Sequence, residues 1–191
     1  MAGGMSDNVI LVGFMGAGKS SVGRLLAKRL GRCFVETDDM ITAKEGCLIP
    51  EIFTAKGEPH FRALEDEAVR LLALKRGDVI ATGGGLPCRE GRVEALQALG
   101  TVVWLSGELA TLLERARRTG DRPMLDGKTR EEIEALYKSR EPYYAKADLS
   151  VDTTRLTPDQ VAAEVWKALQ ARARPPHPAL SPTGREGSVP S

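Results

Sequence analysis

Short hydrophobic runs alternate with longer amphipathic segments along most of the chain. The runs are rich in β-branched residues and have the length of strands, whereas the segments between them have helical length and period. Four of the five runs are almost continuously apolar, as in strands that are buried on both faces of a sheet. The pattern therefore predicts a parallel sheet covered by helices, with strands at residues 8–12, 33–36, 78–82, 101–105 and 149–152.

Two helix starts are marked by polar residues. Thr129 is followed three residues later by Glu132, and Thr157 by Gln160, which is the spacing of a capping box. Pro158 follows Thr157 directly and suits the first helical position, where a missing N–H costs nothing. We therefore predict one helix after Thr129 and another after Thr157.

The composition changes near residue 175. Up to that point the chain reads as one domain, and 191 residues with 42% hydrophobic positions suffice for a sizeable core. Beyond it, prolines and glycines are frequent and large apolar side chains are few. We predict an N-terminal extension over residues 1–7, one domain over 8–172, and a disordered tail without function over 173–191.

Charge and cysteine content narrow the classes of function. With 27 basic and 26 acidic residues, no overall field would attract nucleic acid or an anionic membrane. The three cysteines are far apart, which argues against both a disulfide framework and a zinc site. No run approaches the ~20 apolar residues of a membrane span, and the N-terminus lacks a secretory signal. We expect a cytoplasmic monomer without nucleic-acid or membrane partners.

A glycine-rich loop follows the first predicted strand. Residues 13–21 read GFMGAGKSS, and this lack of large side chains indicates that something approaches the backbone closely. The spacing of Gly13, Gly18, Lys19 and Ser20 is typical of a loop whose N–H groups surround a polyphosphate at a helix N-terminus. An ordinary glycine-rich turn is the simpler alternative. The loop indicates a nucleoside triphosphate, but many reactions share it.

Two arginines occupy unusual positions on predicted helices. Pro59 suits a first helical position, so Arg62 would fall in the first turn, at the positive end of the helix dipole. Arg140 shares the apolar face of the helix after Thr129. The alternatives are ion pairs with nearby carboxylates or, for Arg140, a side chain that reaches the surface. Together the two arginines indicate an anionic acceptor, because a guanidinium matches a carboxylate or phosphate in a bidentate manner.

Acidic residues follow the second predicted strand. If the strand alternation extends through Asp38, Glu36 and Asp38 face the same side. Two carboxylates beside a triphosphate can divide two tasks, since one can hold hydrated magnesium and the other can accept the proton of an attacking hydroxyl. A solvated acidic turn that caps the next helix is the alternative.

Three consecutive glycines, Gly83 to Gly85, follow the third predicted strand. Many nucleotide-hydrolysing folds place an aspartate for magnesium at this point. A glycine run instead lets a small ligand lie against the main chain, where N–H groups can bind hydroxyls or a carboxylate. The alternative is a flexible turn.

The order and spacing of these motifs resemble the shikimate kinase family. The features are the glycine loop, ETD at residues 36–38, GExxFR at 57–62, the glycine triplet and RP at 122–123, and the similarity runs from about residue 8 to 170. The resemblance implies phosphorylation of the 3-hydroxyl of shikimate by ATP with magnesium, a step of aromatic amino acid biosynthesis. It also implies a P-loop NTPase-like α/β fold similar to nucleoside monophosphate kinases, with a five-stranded parallel sheet flanked by helices. A mobile lid is expected over about 115–128.

The resemblance assigns the acceptor site to four residues, Asp38, Arg62, Gly84 and Arg140. Shikimate carries one carboxylate and several hydroxyls, which suits guanidinium groups beside exposed backbone. Asp38 is expected to orient the acceptor hydroxyl and to take its proton. The first acid of the family's Asp-x-Asp pair is Glu36 in this chain, whose longer side chain can still hold a magnesium-bound water.

The resemblance also assigns the nucleotide site. Lys19 and Arg122 join Asp38 as catalytic residues, with Arg122 in the lid, where it neutralises the transferring charge. Ser20 is expected to bind one magnesium ion per subunit together with ATP. The predicted ATP-binding residues are Gly16, Ala17, Gly18, Lys19, Ser20, Ser21 and Arg122.

Two other functions fit part of the pattern. The glycine loop alone permits a kinase for another acceptor, such as gluconate or a nucleoside monophosphate. A nucleotide-dependent switch or a binding module without catalysis is the second alternative, and Glu36 is the substitution that raises it. A switch leaves Arg140, Asp38 and the glycine triplet without a shared purpose, which favours the shikimate enzyme.

Overall fold

Five strands form the centre of the molecule. In this computed structural model, which describes residues 7–118 and 127–173, each predicted strand is confirmed to within one residue at either end. Their bounds are β1 (Asn8–Val12), β2 (Phe34–Glu36), β3 (Val79–Ala81), β4 (Gly100–Ser106) and β5 (Leu149–Asp152). All neighbouring strands are parallel, and their order across the sheet is β2-β3-β1-β4-β5.

Helices connect the strands and cover the sheet. Both predicted capping boxes are confirmed, since the Thr129 hydroxyl accepts the backbone N–H of Glu132 at 3.2 Å and the Thr157 hydroxyl accepts that of Gln160 at 3.3 Å. The helices described are α1 (Lys19–Leu30), α2 (Thr37–Glu45), α3 (Ile49–Leu72), α4 (Arg92–Gln97), α5 (Leu109–Arg118), α6 (Arg130–Tyr144) and α7 (Pro158–Ala173).

The central strand explains where a ligand can bind. Every residue of β1 is buried, as the continuous apolar run predicts for a strand covered on both faces. β1 lies between β3 and β4, so the chain leaves it toward one side of the sheet and later returns on the other. Ligands of open parallel sheets bind at the carboxyl ends of the strands around such a point. The glycine loop, the acidic residues and the glycine triplet all follow carboxyl ends there.

Two local predictions require correction. β2 ends at Glu36 and α2 begins at Thr37, so strand alternation does not extend to Asp38. The reason is that carboxylates in the first turn of a helix are stabilised by its dipole. In α3, Gly57 departs from helical geometry with a φ of 76°, and the helix resumes at once. Arg62 therefore lies just beyond the first turn of the resumed helix, instead of within it.

A buried asparagine joins the starts of three strands. The side-chain amide of Asn8 donates to the carbonyl oxygens of Lys75 at 3.0 Å and Leu99 at 3.1 Å. Its oxygen accepts the backbone N–H of Asp78 at 3.0 Å. Only 1% of Asn8 is exposed. If its side chain were removed, the backbone groups that it binds would have little access to water as an alternative partner. This one side chain thus forms hydrogen bonds with backbone groups of both loops, the one that precedes β3 and the one that precedes β4.

We expect Asn8→Ala to lower the free energy of unfolding by about 3 kcal/mol, at roughly 1 kcal/mol for each hydrogen bond lost. Urea denaturation with linear extrapolation measures this change. Gln97→Ala is the control, because it removes one exposed amide hydrogen bond, to the carbonyl oxygen of Lys146 at 3.0 Å. Its expected cost is below about 0.5 kcal/mol. Equal losses in the two variants would contradict the role of Asn8.

Candidate active site

The glycine loop connects β1 to α1 and encloses the side chain of Lys19. The ammonium group of Lys19 donates to the carbonyl oxygens of Gly13 at 2.8 Å and Phe14 at 3.0 Å. Gly18 precedes the helix in a left-handed conformation with a φ of 84°. The N-terminus of α1 and a cationic side chain therefore meet at the loop, which is the arrangement that binds phosphate groups.

Close packing against protein backbone explains why two of the loop residues are glycine, without reference to a ligand. A Cβ on Gly16 would lie 1.9 Å from the carbonyl oxygen of Leu112 on α5, and one on Gly13 would lie 2.5 Å from that of Leu105 on β4. The expectation that something approaches the loop closely is therefore met by neighbouring main chain at these positions. The loop is held in place by packing against β4 and α5.

A cleft of about 310 Å³ opens beside the loop. It brings together the described residues predicted to bind ATP with two of those predicted to bind the acceptor, Asp38 and Gly84. Glu36 also lines it, so both carboxylates of the acidic motif face the cleft, although a helix instead of a strand presents Asp38. The lining residues are Gly16, Ala17, Gly18, Lys19, Ser20, Ser21, Val22, Glu36, Asp38, Thr82, Gly83, Gly84, Arg115, Thr153, Leu156, Pro158 and Val161.

Two oxygen-bearing side chains meet at the start of α1. The hydroxyl of Ser20 donates to Oε1 of Glu36 at 2.5 Å, and Arg24 lies 3.6 Å from Oε2 of the same carboxylate. Hydroxyl and carboxylate oxygens are the hard ligands that magnesium prefers. Within the described residues, no three acidic, histidine or cysteine side chains cluster as a metal site. A magnesium ion here would therefore take its remaining ligands from phosphate and water, as is usual for this ion.

The glycine triplet holds the start of α2. The hydroxyl of Thr37 accepts the backbone N–H of Gly83 at 2.9 Å. A Cβ on Gly83 would lie only 2.5 Å from Oδ1 of Asp38. A side chain at residue 83 would therefore displace the Asp38 carboxylate, a constraint that the sequence pattern did not reveal.

Both predicted arginines face the same glycine. Nη1 of Arg62 and Nη2 of Arg140 each lie 3.4 Å from the position that a Cβ on Gly85 would take. The structure therefore brings the two guanidinium groups together at the last glycine of the triplet, whereas the Asp38 carboxylate approaches the first; neither arginine is among the residues that line the cleft. Such a pair of cations around an open backbone segment is suited to an anionic ligand.

The ion pairs named as the alternative for Arg62 are present as well. Its guanidinium group binds Glu58 at 2.7 Å and Glu65 at 2.8 Å. Burial disfavours the charged form of Arg62, but the two carboxylates outweigh it and raise the pKa of this side chain. Glu65 is itself buried, so its ion pair holds the guanidinium group of Arg62 against the interior of the protein.

Arg140 has a different environment. Only 9% of its surface is exposed, which confirms the prediction that it lies on the inner face of α6. In the part of the chain that the structure describes, no carboxylate pairs with it within 4.0 Å. Its guanidinium lies 5.9 Å from the centre of the Phe14 ring. A nearly buried cation without a carboxylate is costly, so this position favours an anionic ligand.

The cleft extends beyond the glycine loop toward α5 and the segment after β5. There the guanidinium of Arg115 donates to the hydroxyl of Thr153 at 3.1 Å and to the carbonyl oxygens of Thr153 at 2.8 Å and Thr154 at 3.2 Å. The residues predicted to bind ATP included none in this part of the cleft. Arg115 was missed because its partners are 38 or more residues away in sequence.

Three predictions lie outside the described residues. They are the position of Arg122, residues 119–126 of the lid expected over about 115–128, and residues 174–191 of the predicted tail. Residues 1–6 of the N-terminal extension also lie outside. Among the helices that the structure describes, none is long and apolar enough to cross a bilayer.

Several known proteins that are similar to this chain in sequence or structure are shikimate kinases. A family model for shikimate kinase matches residues 15–170. The shikimate kinase of Moorella thermoacetica is 45% identical over 167 residues, covering 87% of this chain and 96% of that protein. The one from Geobacter metallireducens is 46% identical over 166 residues, covering 86% and 93%. The shikimate kinase of Acinetobacter baumannii, solved in complex with shikimate, superimposes with a TM-score of 0.81 at 35% identity over 87% of this chain and 94% of that one.

Proposed function

Because the chain belongs to the shikimate kinase family, we propose that it transfers the γ-phosphoryl group of ATP to the 3-hydroxyl of shikimate at the cleft described above. The protein is an ATP-dependent kinase of aromatic amino acid biosynthesis with a P-loop NTPase-like fold. One observation carries the assignment of the acceptor site. The guanidinium groups of Arg62 and Arg140 converge on Gly85, and two residues earlier the Asp38 carboxylate lies against Gly83, in the cleft that the phosphate-binding loop also lines.

The nucleotide side of the site follows from the loop. The backbone N–H groups of residues 16–21 bind the phosphates, and the ammonium group of Lys19 moves from the loop carbonyls to the β and γ phosphates. The nucleoside occupies the far end of the cleft, between Arg115 and Pro158. Bonds from Arg115 to the segment after β5 support this placement, because they hold both walls of the cleft together.

The acceptor side positions one hydroxyl for attack. Arg62 and Arg140 bind the carboxylate of shikimate, and the Gly84 backbone lies against its ring. Asp38 accepts the proton of the 3-hydroxyl as the new oxygen–phosphorus bond forms, and the bond between the γ-phosphorus and the β-phosphate oxygen breaks to release ADP. Most of the acceleration comes from this alignment and from Lys19, which stabilises charge on the phosphoryl oxygens.

Ser20 and Glu36 would hold the magnesium ion that accompanies ATP. Their contact places a hydroxyl and a carboxylate oxygen at one point beside the loop, and Glu36 reaches that point despite replacing a shorter aspartate. When bound, the ion neutralises charge on the phosphates. Glu36 accepts the Ser20 hydrogen bond and so keeps that hydroxyl oriented toward the phosphate site.

The proposal also covers the lid, the bounds of the catalytic domain and the partners of the enzyme. Arg122 neutralises charge on the transferring group when the lid at about 115–128 covers ATP. The catalytic domain spans residues 8–172, and the enzyme acts as a cytoplasmic monomer without nucleic-acid or membrane partners. The balanced charge of the chain supports the absence of a nucleic-acid partner.

A coupled assay of ADP release tests the proposed function. Purified protein with ATP and magnesium is expected to release ADP when shikimate is added, and not when gluconate or a nucleoside monophosphate replaces it. Phosphorus NMR of the product then identifies the phosphorylated hydroxyl. Release that is independent of shikimate would indicate a nucleotide switch, and phosphate on another hydroxyl would contradict the alignment with Asp38.

We expect Gly83→Ala to lower kcat about 10- to 100-fold, because a methyl group at this position displaces the Asp38 carboxylate and a misplacement of 1 Å has effects of this size. Steady-state kinetics with both substrates measure the change. Gly84→Ala is the matched variant, since its new Cβ would come no closer than 3.6 Å to its neighbours. It is expected to act on the KM for shikimate instead. If both variants change kcat and the KM for shikimate in the same way, residue 83 does not act through Asp38 and residue 84 does not act separately on binding of shikimate.

A further inference from the structure

A buried phenol holds the middle of the glycine triplet. The hydroxyl of Tyr144 donates to the carbonyl oxygen of Gly84 at 2.7 Å, across 60 residues of sequence. Tyr144 is the last residue of α6 and is fully buried. The thiol of Cys88 approaches the same carbonyl oxygen at 3.5 Å and is a weaker donor. The orientation of the Gly84 carbonyl is therefore set from inside the protein.

The same helix supplies Arg140. Tyr144 and Arg140 lie four residues apart on the inner face of α6, so one rigid element presents both the guanidinium group and the phenol. Arg140 lies against Gly84 and Gly85, while Tyr144 fixes the peptide between them. The hydrogen bond from Tyr144 thus ties the glycine backbone directly to the helix that carries the cation.

We propose that Tyr144 is a positioning residue for the acceptor, because its hydrogen bond to Gly84 fixes the backbone on which Asp38, Arg62 and Arg140 converge. This inference rests on the proposed function of the site. None of the motifs in the sequence points to Tyr144, which is one of several apolar-face residues of α6.

Backbone chemistry explains why such a bond is needed. Three consecutive glycines have more conformational freedom than any other tripeptide, so their order must be imposed by neighbours. Since the peptide between Gly84 and Gly85 is trans, a carbonyl that points at Tyr144 turns the N–H of Gly85 the opposite way, away from the buried phenol. Burial raises the pKa of Tyr144, so its hydroxyl stays protonated and remains a donor.

The test is Tyr144→Phe, which removes the hydroxyl and keeps the ring. We expect the KM for shikimate and its dissociation constant, measured by calorimetry, to rise about three- to tenfold, the effect of one lost hydrogen bond. The KM for ATP should stay within about twofold. Tyr143→Phe is the control on the same helix, because the Tyr143 hydroxyl has no hydrogen-bond partner among the residues described. The KM values of this control for shikimate and for ATP should equal those of the wild type.

Two results would overturn the proposal. One is an unchanged KM for shikimate in Tyr144→Phe. The other is an equal loss of affinity for both substrates with a lower melting temperature, which indicates a structural role alone. A wild-type enzyme that shows no shikimate-dependent release of ADP would contradict the proposed function itself, whereas an active wild type with an unaffected variant contradicts only the role of Tyr144.

Discussion

Replacement of Asp38 by asparagine is expected to lower kcat at least ~100-fold while the KM for ATP stays within about twofold of the wild-type value. The amide has the size of the carboxylate but cannot accept the proton of the acceptor hydroxyl. The change leaves the glycine loop and Lys19 in place, so nucleotide binding should persist. Steady-state release of ADP at saturating shikimate measures kcat, and titration of ATP measures its KM.

Asp39→Asn is the matched control for this prediction. Asp39 is the next residue of α2, carries the same carboxylate near the same helix N-terminus, and is exposed outside the cleft lining. The two variants lose the same charge near the helix dipole, so any effect on helix stability should be shared. Full turnover in Asp38→Asn, or equal losses in both variants, would show that Asp38 is not the base.

Replacement of Arg140 by methionine is expected to raise the KM for shikimate about 100-fold. The reason is that loss of one partner from a buried pair of charges costs about 2–5 kcal/mol, and each 1.4 kcal/mol corresponds to a factor of ten. The KM of Arg140→Lys for shikimate should lie between those of the wild type and of Arg140→Met, because lysine keeps the charge but loses the bidentate geometry. Initial rates at saturating ATP over a range of shikimate concentrations measure the change.

Lys138→Met is the control for Arg140→Met. It removes a cation from the exposed side of the same helix, two residues away, so it reports the effect of net charge on substrate attraction. We expect its KM for shikimate to stay within about twofold of the wild-type value. A comparable rise in both variants would mean that the effect arises from the general field of α6 and not from contact with the acceptor.

The elements that sequence alone predicted are those specified by neighbouring residues. The run over residues 8–12 is apolar throughout because its strand is buried on both faces, and Thr129 with Glu132 forms the capping box that its spacing predicts. The glycine loop belongs to the same class, since its spacing, strand and helix are all local. Arg140 was placed on the inner face of α6 from helical periodicity alone, and the structure confirms this position.

The parts that were not predicted depend on contacts between distant segments. Gly16 is required by the backbone of α5, and Gly83 leaves room for the Asp38 carboxylate, but glycine in a loop is also explained by a ligand. The sequence does not separate these reasons. Arg115 was missed for a similar cause, because its partners in the segment after β5 come together with it only in the folded sheet.

Glu36 shows how a departure from the family pattern is accommodated. From sequence, glutamate in place of aspartate raised the alternative of a switch without catalysis. In the structure the longer side chain reaches the Ser20 hydroxyl at 2.5 Å and still lines the cleft. The substitution thus preserves an oxygen pair beside the phosphate loop, which supports the kinase over the switch.

The most direct test of the acceptor site compares shikimate with its methyl ester in the wild type and in Arg140→Met. If Arg140 binds the carboxylate together with Arg62, the wild type should favour shikimate over the ester by about 100-fold in kcat/KM, and the variant should favour it much less, because only Arg62 then binds the carboxylate. If Arg140→Met discriminates between acid and ester as strongly as the wild type does, Arg140 does not bind the carboxylate, and the proposed pair of arginines is wrong.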